Sequence, residues 1–557
     1  MKGRPLILVS LLVLALFAAA CTSLPKASEP APFDVSAHTT NPVELSADGP
    51  ARNSDPMTLV SDFLLACAAG ANDDFATARL FLSSDSSQRW HPEQQVLIYD
   101  TASRPTLTLS SPAGENTAEV SISAVPVASL DASGVLSRAE SSQISQTLSL
   151  VKESGQWRIS APQDSFIVSK ASFLASYERV NLYFPAHSGD ALIADPRWLP
   201  SRRLASHLIE GLVEGPSNAA ADAVSNAIPA GTTVPSAPVE VTDRIAKVHV
   251  EGPVPPEGTA RDLLVWQITS TLEQSPSITQ VEILVSDVEL KDAAPLKDPS
   301  YLLDTRLGML SGAIGTLNAT KLMSLPLSTP PAEGARHPSM SPVDRELFAW
   351  REGEELVVER IEEDATQVRV SVGGGGAPSI DRFGWTWSAK GGGLAAVSSQ
   401  GEVLEISGFD PSPLFSRVAV SPDGARALLI GADHSDKSLM IATIVRDRQG
   451  KPTSLSSLSV IEGIASMVED ASWAGTDAFV VLRRKQNEDG TGSVELAEVQ
   501  LGGFLTASSA PEGAEEISAG SGPGNVCTRT HTGTLHCRSG ALWQDMPSGL
   551  VDIRYPG

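Results

Sequence analysis

Apolar and polar positions divide this chain into stretches of different period. Leu6 to Ala20 is an apolar run broken only by Ser10. As a helix its 15 residues would span roughly 22 Å, short of the ~30 Å hydrocarbon core of a bilayer. With Lys2 and Arg4 ahead of it and Ala18-Ala19-Ala20 at its end, residues 1–20 fit a cleaved signal peptide. Residues 21–55 are rich in Ser, Pro, Ala, Thr and Asp without apolar periodicity, which predicts a flexible tether. From Pro56 a helical period sets in with Leu59, Phe63, Ala66 and Cys67. Asp73 or Asp74 is expected to open a second helix carrying Phe75, Ala78, Phe81 and Leu82. Strand-like runs follow at Leu107–Leu109, Ala118–Val127, Gln143–Lys152 and Gln156–Ser160.

Helices followed by a curled antiparallel sheet predict an α+β domain over 56–165. The segments Phe75–Leu82 and Leu150–Ile159 resemble cone-shaped NTF2-like domains, with Ser154-Gly155 as a hairpin turn and Trp157 as a core ring. Some such cones are enzymes, but no acid–base pair suited to a pocket stands out here, which favours binding or scaffolding.

Over 166–295 the pattern alternates between strand and helix. Val180, Leu182 and Phe184 share one strand face, and Leu204, Leu208 and Leu212 one helical stripe that stops at Gly215-Pro216. An extended Thr232–Val241 stretch leads to the alternating Ala246, Val248 and Val250. A helix then opens at the capping box Thr259-Ala260-Arg261-Asp262 with Leu264, Ile268 and Leu272 inward, before a last strand at Val281, Ile283 and Val285. The order βαββαβ predicts a two-layer α/β sandwich. The segments 180–185, 212–217, 227–232 and 266–272 resemble the GerMN domain, an interaction module of extracytoplasmic bacterial proteins. Gln267 is its polar residue of interest, open to two roles: bonding the neighbouring backbone or contacting a ligand.

Over 296–557 a degenerate repeat of strand, Pro/Asp/Gly turn and strand recurs. Copies lie at Ser341–Trp350, Trp387–Val397, Val418–Ile430 and Ser472–Val481, with a fifth arguable around Asn525–Trp543. Their spacing brackets the blade range, and Pro and Gly supply the turn dihedrals. An all-β propeller of at least five blades is expected, with six or seven if a divergent first blade and ring closure are added.

Charge and cysteine content narrow the chemistry. The net charge of −25 falls to −27 once Lys2 and Arg4 leave with the leader, so nucleic acid and anionic headgroups are repelled. A lipid must then hold the protein to a membrane. Cys21 at the cut resembles a bacterial lipoprotein box, with Ala18 where Leu is usual; the alternative is ordinary secretion with Cys21 incidental. Two or more acyl chains on Cys21 would anchor it stably. Cys67 sits in an apolar helical run as a buried small hydrophobe. If His531-Thr532-Gly533 is a three-residue loop, Cys527 and Cys537 face each other within disulfide range.

Other chemical signals are weak. Gly373-Gly374-Gly375-Gly376 has no Gly-Lys-Ser/Thr after it and is expected to be a propeller loop rather than a phosphate cradle. His187, His207 and His249 lack paired metal spacing. Asp423 and Asp477 repeat with the blades and are expected to be turn residues, while Trp350, Trp385, Trp387 and Trp473 are expected in the core. No catalytic residue, metal ligand or cofactor site is assigned.

The three modules in this order behind a lipoprotein signal resemble the LpqB family of actinobacterial lipoproteins. The resemblance implies a non-enzymatic, lipid-anchored protein on the extracytoplasmic face of the cell membrane. It further implies contact with the extracellular domain of a sensor histidine kinase of the MtrA/MtrB two-component system, affecting envelope homeostasis, growth and division. The alternative is an envelope glycan-binding protein or hydrolase that uses the propeller mouth.

Overall fold

The computed structural model describes residues 47–111, 115–138, 143–362, 366–373, 376–408, 414–431, 438–461, 464, 468–486, 492–540 and 542–557. The leader, Cys21 and most of the tether lie outside the described residues, as do Gly374 and Gly375 of the glycine run.

The first domain opens on helix Pro56–Asp73, whose start is written in three residues. Asp55 accepts from the backbone of Met57 and Thr58 at 3.0 and 3.1 Å, and Pro56 takes the position where no N–H is needed. The Thr58 hydroxyl donates to the same carboxylate at 2.6 Å, and these bonds hold the Asp55 carboxyl below its ordinary pKa. The second helix is broken. Its chain forms short helices at Ala76–Arg79 and Ser84–Arg89, because the intervening residues leave the helix and Leu82 bridges to Ile159. Ser83 then caps the second piece.

Two four-stranded sheets complete the domain. One runs Leu136–Arg138, Pro126–Asp131, Gln95–Tyr99, Phe166–Ser169; the other runs Thr106–Ser111, Thr117–Ala124, Ile144–Glu153, Gln156–Ile159. The expected single run Ala118–Val127 is shared between them. It leaves one sheet at exposed Val125, and Pro126, which has no N–H to donate, begins a strand of the other. Ser154 and Gly155 turn the last hairpin with φ of 50° and 78°. Trp157 is half-buried beneath the Lys152 ammonium; the tryptophan ring in the core is Trp90, packed on Phe63 and Phe75.

In the middle domain, Tyr177–Pro185 pairs antiparallel with Leu192–Pro200 along its whole length. The returning strand carries no continuous apolar alternation, because the buried pair Asp195 and Arg197 sits in it, joined at 2.7 Å. A separate sheet orders Glu240–Thr242, Ile245–Val250, Gln280–Val285 and Val288–Glu289, its central pair parallel. Most of the Thr232–Val241 stretch is loop, tied by a Thr233–Glu251 bridge. Helix Leu204–Glu214 buries Leu208 and Leu212 and stops at Gly215, φ 105°. Helix Thr259–Glu273 is capped by Gly258 rather than by a Thr259 side chain. Asp262 instead accepts from the Ala294 backbone at 3.3 Å.

Six four-stranded sheets follow among the described residues, which makes the propeller six-bladed. Blades two to six begin at Arg336, Ser379, Phe415, Val468 and Ala514. Blade one combines Arg306–Leu310, Ala313–Asn318 and Lys321–Ser324 with the C-terminal strand Leu550–Arg554, which pairs with Arg306–Leu310 and closes the ring. The repeats at Ser341, Val418 and Ser472 span the first hairpin of their blades. Those at Trp387 and Asn525 span the second, so they sit one hairpin later than the others.

Candidate functional site

The first feature built by these elements is the seam between domains. Arg179 and Asn181, on the first strand of the middle domain, both donate to Asp477 of blade five, at 3.2 and 3.0 Å. The Asp477 carboxylate therefore serves the seam and not its own turn, whereas buried Asp423 does close its turn, accepting from Ser421 and from the Ala425 backbone. Arg382 of blade three clasps both oxygens of Asp190 at 2.9 Å. Arg426 reaches the Ala194 carbonyl at 2.6 Å. Trp198 donates from Nε1 to the Gly502 carbonyl at 2.7 Å, and its ring packs with Phe173 and Phe504. Phe173, Trp198 and Phe504 belong to the helix leaving the first domain, the middle domain and the propeller, so one aromatic cluster ties all three.

The second feature is the propeller channel. Asp470 pairs with Arg417, Asp552 with Arg554 at 3.1 Å, and Glu516 with Arg554 and with Arg529 at 3.3 Å. Burial opposes the charge on Asp552, but Arg554 and His337 override it and hold the carboxyl far below its ordinary range. Burial likewise disfavours the Arg554 charge, and Asp552 and Glu516 more than restore it. His337, Glu516 and Asp552 lie close enough together to ligate a cation, yet the Arg554 guanidinium already occupies the cationic place between the two carboxylates. The free space beside Arg417, Trp473 and Tyr555 is about 20 Å³, room for about one water. The channel is thus strongly polar, and these carboxylates are paired with arginines.

The remaining sequence candidates have structural partners. Gln267 is fully buried; its oxygen accepts from the Ala227 backbone at 2.8 Å and its amide donates to Asn226 at 3.0 Å, which fixes the loop ahead of Thr232. His187, His207 and His249 each face a different group: the Asp222 carbonyl, Glu210 and Glu251. Trp350, Trp385, Trp387 and Trp473 are all buried. Cys527 and Cys537 are joined by a disulfide, with Cα atoms 4.1 Å apart across a hairpin that turns at Gly533, φ 86°. Cys67 is free and buried, and burial, with Asp73 adding, pushes its thiol well above the ordinary pKa.

Three family models match the chain in succession. The N-terminal domain of lipoprotein LpqB matches residues 49–174, the sporulation and spore germination (Germane) module 181–291, and the LpqB beta-propeller domain 332–556. The chain belongs to the LpqB lipoprotein family. A lipoprotein LpqB of Nocardia farcinica is 24% identical over 99% of this chain and 97% of its own length. One of Bifidobacterium longum is 27% identical over 77% and 78%, and one of Rhodococcus jostii 31% identical over 48% and 45%. Among solved structures, TolB from Acinetobacter baumannii overlays with a TM-score of 0.34 at 13% identity, covering 45% of this chain and 64% of that one. The nidogen/laminin complex overlays at 0.33 and 10%, covering 45% and 93%. No described helix of this LpqB family member is long and apolar enough to cross a membrane.

The seam residues Arg179, Asn181, Arg382 and Trp198 were not singled out by sequence pattern. The signal present for them is an arginine, an asparagine or a tryptophan inside an otherwise apolar strand or tight turn, which marks a side chain that must find a partner.

Proposed function

We propose that this chain is a regulator anchored through lipid on Cys21 to the extracytoplasmic face of the cell membrane. It acts by contact with the extracellular domain of a sensor histidine kinase of the MtrA/MtrB type and so influences envelope homeostasis, growth and division. The observation that carries this reading is the seam. Arg179–Asp477, Arg382–Asp190 and the Phe173–Trp198–Phe504 cluster unite three domains into one body, while the channel carboxylates are engaged by arginines. Such a body is suited to presenting a fixed surface rather than to turnover. A tether raises its effective concentration at receptors in the same membrane. Contact shifts a kinase only if one signalling state is bound better than the other.

The test reconstitutes full-length kinase in proteoliposomes with and without the lipidated chain and follows autophosphorylation. A changed rate with the wild type, lost on Cys21→Ser as the protein leaves the membrane fraction, is expected. An unchanged rate with both proteins present in the vesicles would refute the reading.

A further inference from the structure

A groove of about 910 Å³ separates the first domain from the propeller. That volume lies at the upper end of the range for ligand sites, about 300–1,000 Å³. One wall comes from strands Pro126–Asp131 and Leu136–Arg138, the other from blades four and five, where Val460, Phe479 and Leu505 line it. Val460 leaves 47% of its surface open to solvent.

The charge of the groove is opposite to that of the protein. In a chain of net charge −25, the charged side chains lining it are Arg138 and Lys170 alone among the described residues. Lys170 stands 4.3 Å over the Phe504 ring, and neither cation meets a carboxylate among the described residues. Two cations without a carboxylate partner among the described residues, beside a trough that carries apolar side chains, select a ligand with acidic and apolar groups. At physiological ionic strength screening acts over about 8 Å, so the local cations outweigh the distant acidic surface.

The walls also separate a peptide from a lipid chain. Leu136–Arg138 is the outermost strand of its sheet, and Pro452–Val460 the outermost of blade four; Ser407 bridges its outer side at Ser454, while its far end, Ser459 and Val460, lines the groove. Strands paired on one side offer backbone donors and acceptors to an extended polypeptide, and an acyl chain can use neither.

We propose that this groove binds an extended acidic and apolar segment of a protein partner. Its carboxylates lie on Arg138 and Lys170 and its apolar side chains on Val127, Val460 and Leu505. The proposal rests on the contact reading above only in taking the ligand to be a protein.

The experiment uses the full chain in nanodiscs of uncharged lipid. The probe is a fluorescein-labelled peptide of about ten residues alternating Asp or Glu with Val or Ile, beside its Asn/Gln analogue, and binding is followed by anisotropy. The acidic peptide should bind at least about tenfold more tightly than the amide analogue. The Arg138→Glu/Lys170→Glu double variant should abolish that preference, and Val460→Asp should weaken both peptides. Equal binding of the two peptides, no binding of either, or no effect of charge reversal would overturn the proposal. Binding of dodecyl phosphate in place of peptide would also overturn it and make the groove a lipid site. Should the double variant melt far below wild type, Arg138→Gln, at an exposed position, carries the same comparison. No kinase is present, so failure here leaves the kinase reading standing, and a silent kinase beside a peptide-binding groove removes only that reading.

Discussion

Arg382 and Asp190 face each other across the seam with two parallel contacts of 2.9 Å, although 192 residues separate them in sequence. The Arg382 guanidinium is buried and also rests on the Phe383 ring, while Asp190 is half-exposed at the tip of its hairpin. Arg382→Ala should therefore loosen the middle domain from blade three, and Asp190→Ala, which leaves the buried guanidinium without its carboxylate, should do so at least as much. A loss of about 1–2 kcal/mol is expected for the arginine, since it gives up charge-assisted bonds and stacking together. Limited proteolysis between Gly189 and Leu192 reads the effect. Burial raises the Asp190 pKa, but bonds from Arg382 and Ser188 outweigh it, so the folded value lies below the unfolded one. The stabilisation is thus complete above the unfolded value of about 3.9 and is lost as pH falls through the lower folded value. Protection at the seam that vanishes between pH 6 and 5 would contradict this pairing.

Asp381 should be the most costly single carboxylate to remove from blade three. It is fully buried and accepts from Arg446 at 2.7 Å, from Trp387 Nε1 at 2.8 Å and from the Phe383 and Trp385 backbone. Asp381→Ala leaves the Arg446 charge buried without its partner, a loss of about 3–5 kcal/mol. Asp381→Asn retains acceptors for the backbone and should cost less. Equal midpoints for the two variants in denaturant unfolding would count against the part of this account that rests on the backbone acceptors.

Much of the fold was legible because local chemistry dictates it. Asp55-Pro56 starts a helix wherever it is followed by an apolar helical period, and Ser421-Pro422-Asp423-Gly424 can do little but turn between strands. The repeat at Trp387 was less informative. Trp387–Val397 fits any glycine-turned hairpin, so it aligned with the wrong hairpin of its blade. The strand Leu192–Pro200 was hidden because Asp195 and Arg197 neutralise each other inside it. The seam was illegible for a deeper reason: Asp477 has the sequence of a turn residue, and its partners Arg179 and Asn181 lie almost 300 positions away.

The Cys527–Cys537 bridge closes a loop of about ten residues in blade six, worth about 2–3 kcal/mol by loop entropy. Cys537→Ser should lower the melting midpoint accordingly, with little change in the other blades by hydrogen exchange. Alkylation of unreduced protein should tag Cys67 after unfolding and leave it untouched before, since its buried thiol is held protonated. Tagging of Cys527 or Cys537 in unreduced, unfolded protein would disprove the bridge.

Ring closure should decide whether the propeller stands at all. Leu550–Arg554 supplies the inner strand of blade one, pairing Leu307 with Arg554 and Met309 with Asp552. The residues beyond it continue the lock, with the Gly557 N–H on the Met340 carbonyl at 3.0 Å and its carbonyl accepting from Ser339 at 3.2 Å. A chain ending at Gly549 loses that strand, the buried side chains of Leu550, Ile553 and Tyr555, and both Asp552 and Arg554. Glu516 and His337 would then face the channel without their main partner. Breaking a buried pair costs about 3–5 kcal/mol by itself, and a domain holds only about 5–15 in total. The truncated chain should therefore fail to give a protease-resistant propeller, whereas Arg554→Lys, which keeps the strand and the charge, should fold with a lowered midpoint. If the truncated chain resists protease as well as the full one, blade one is closed by contacts other than the C-terminal strand.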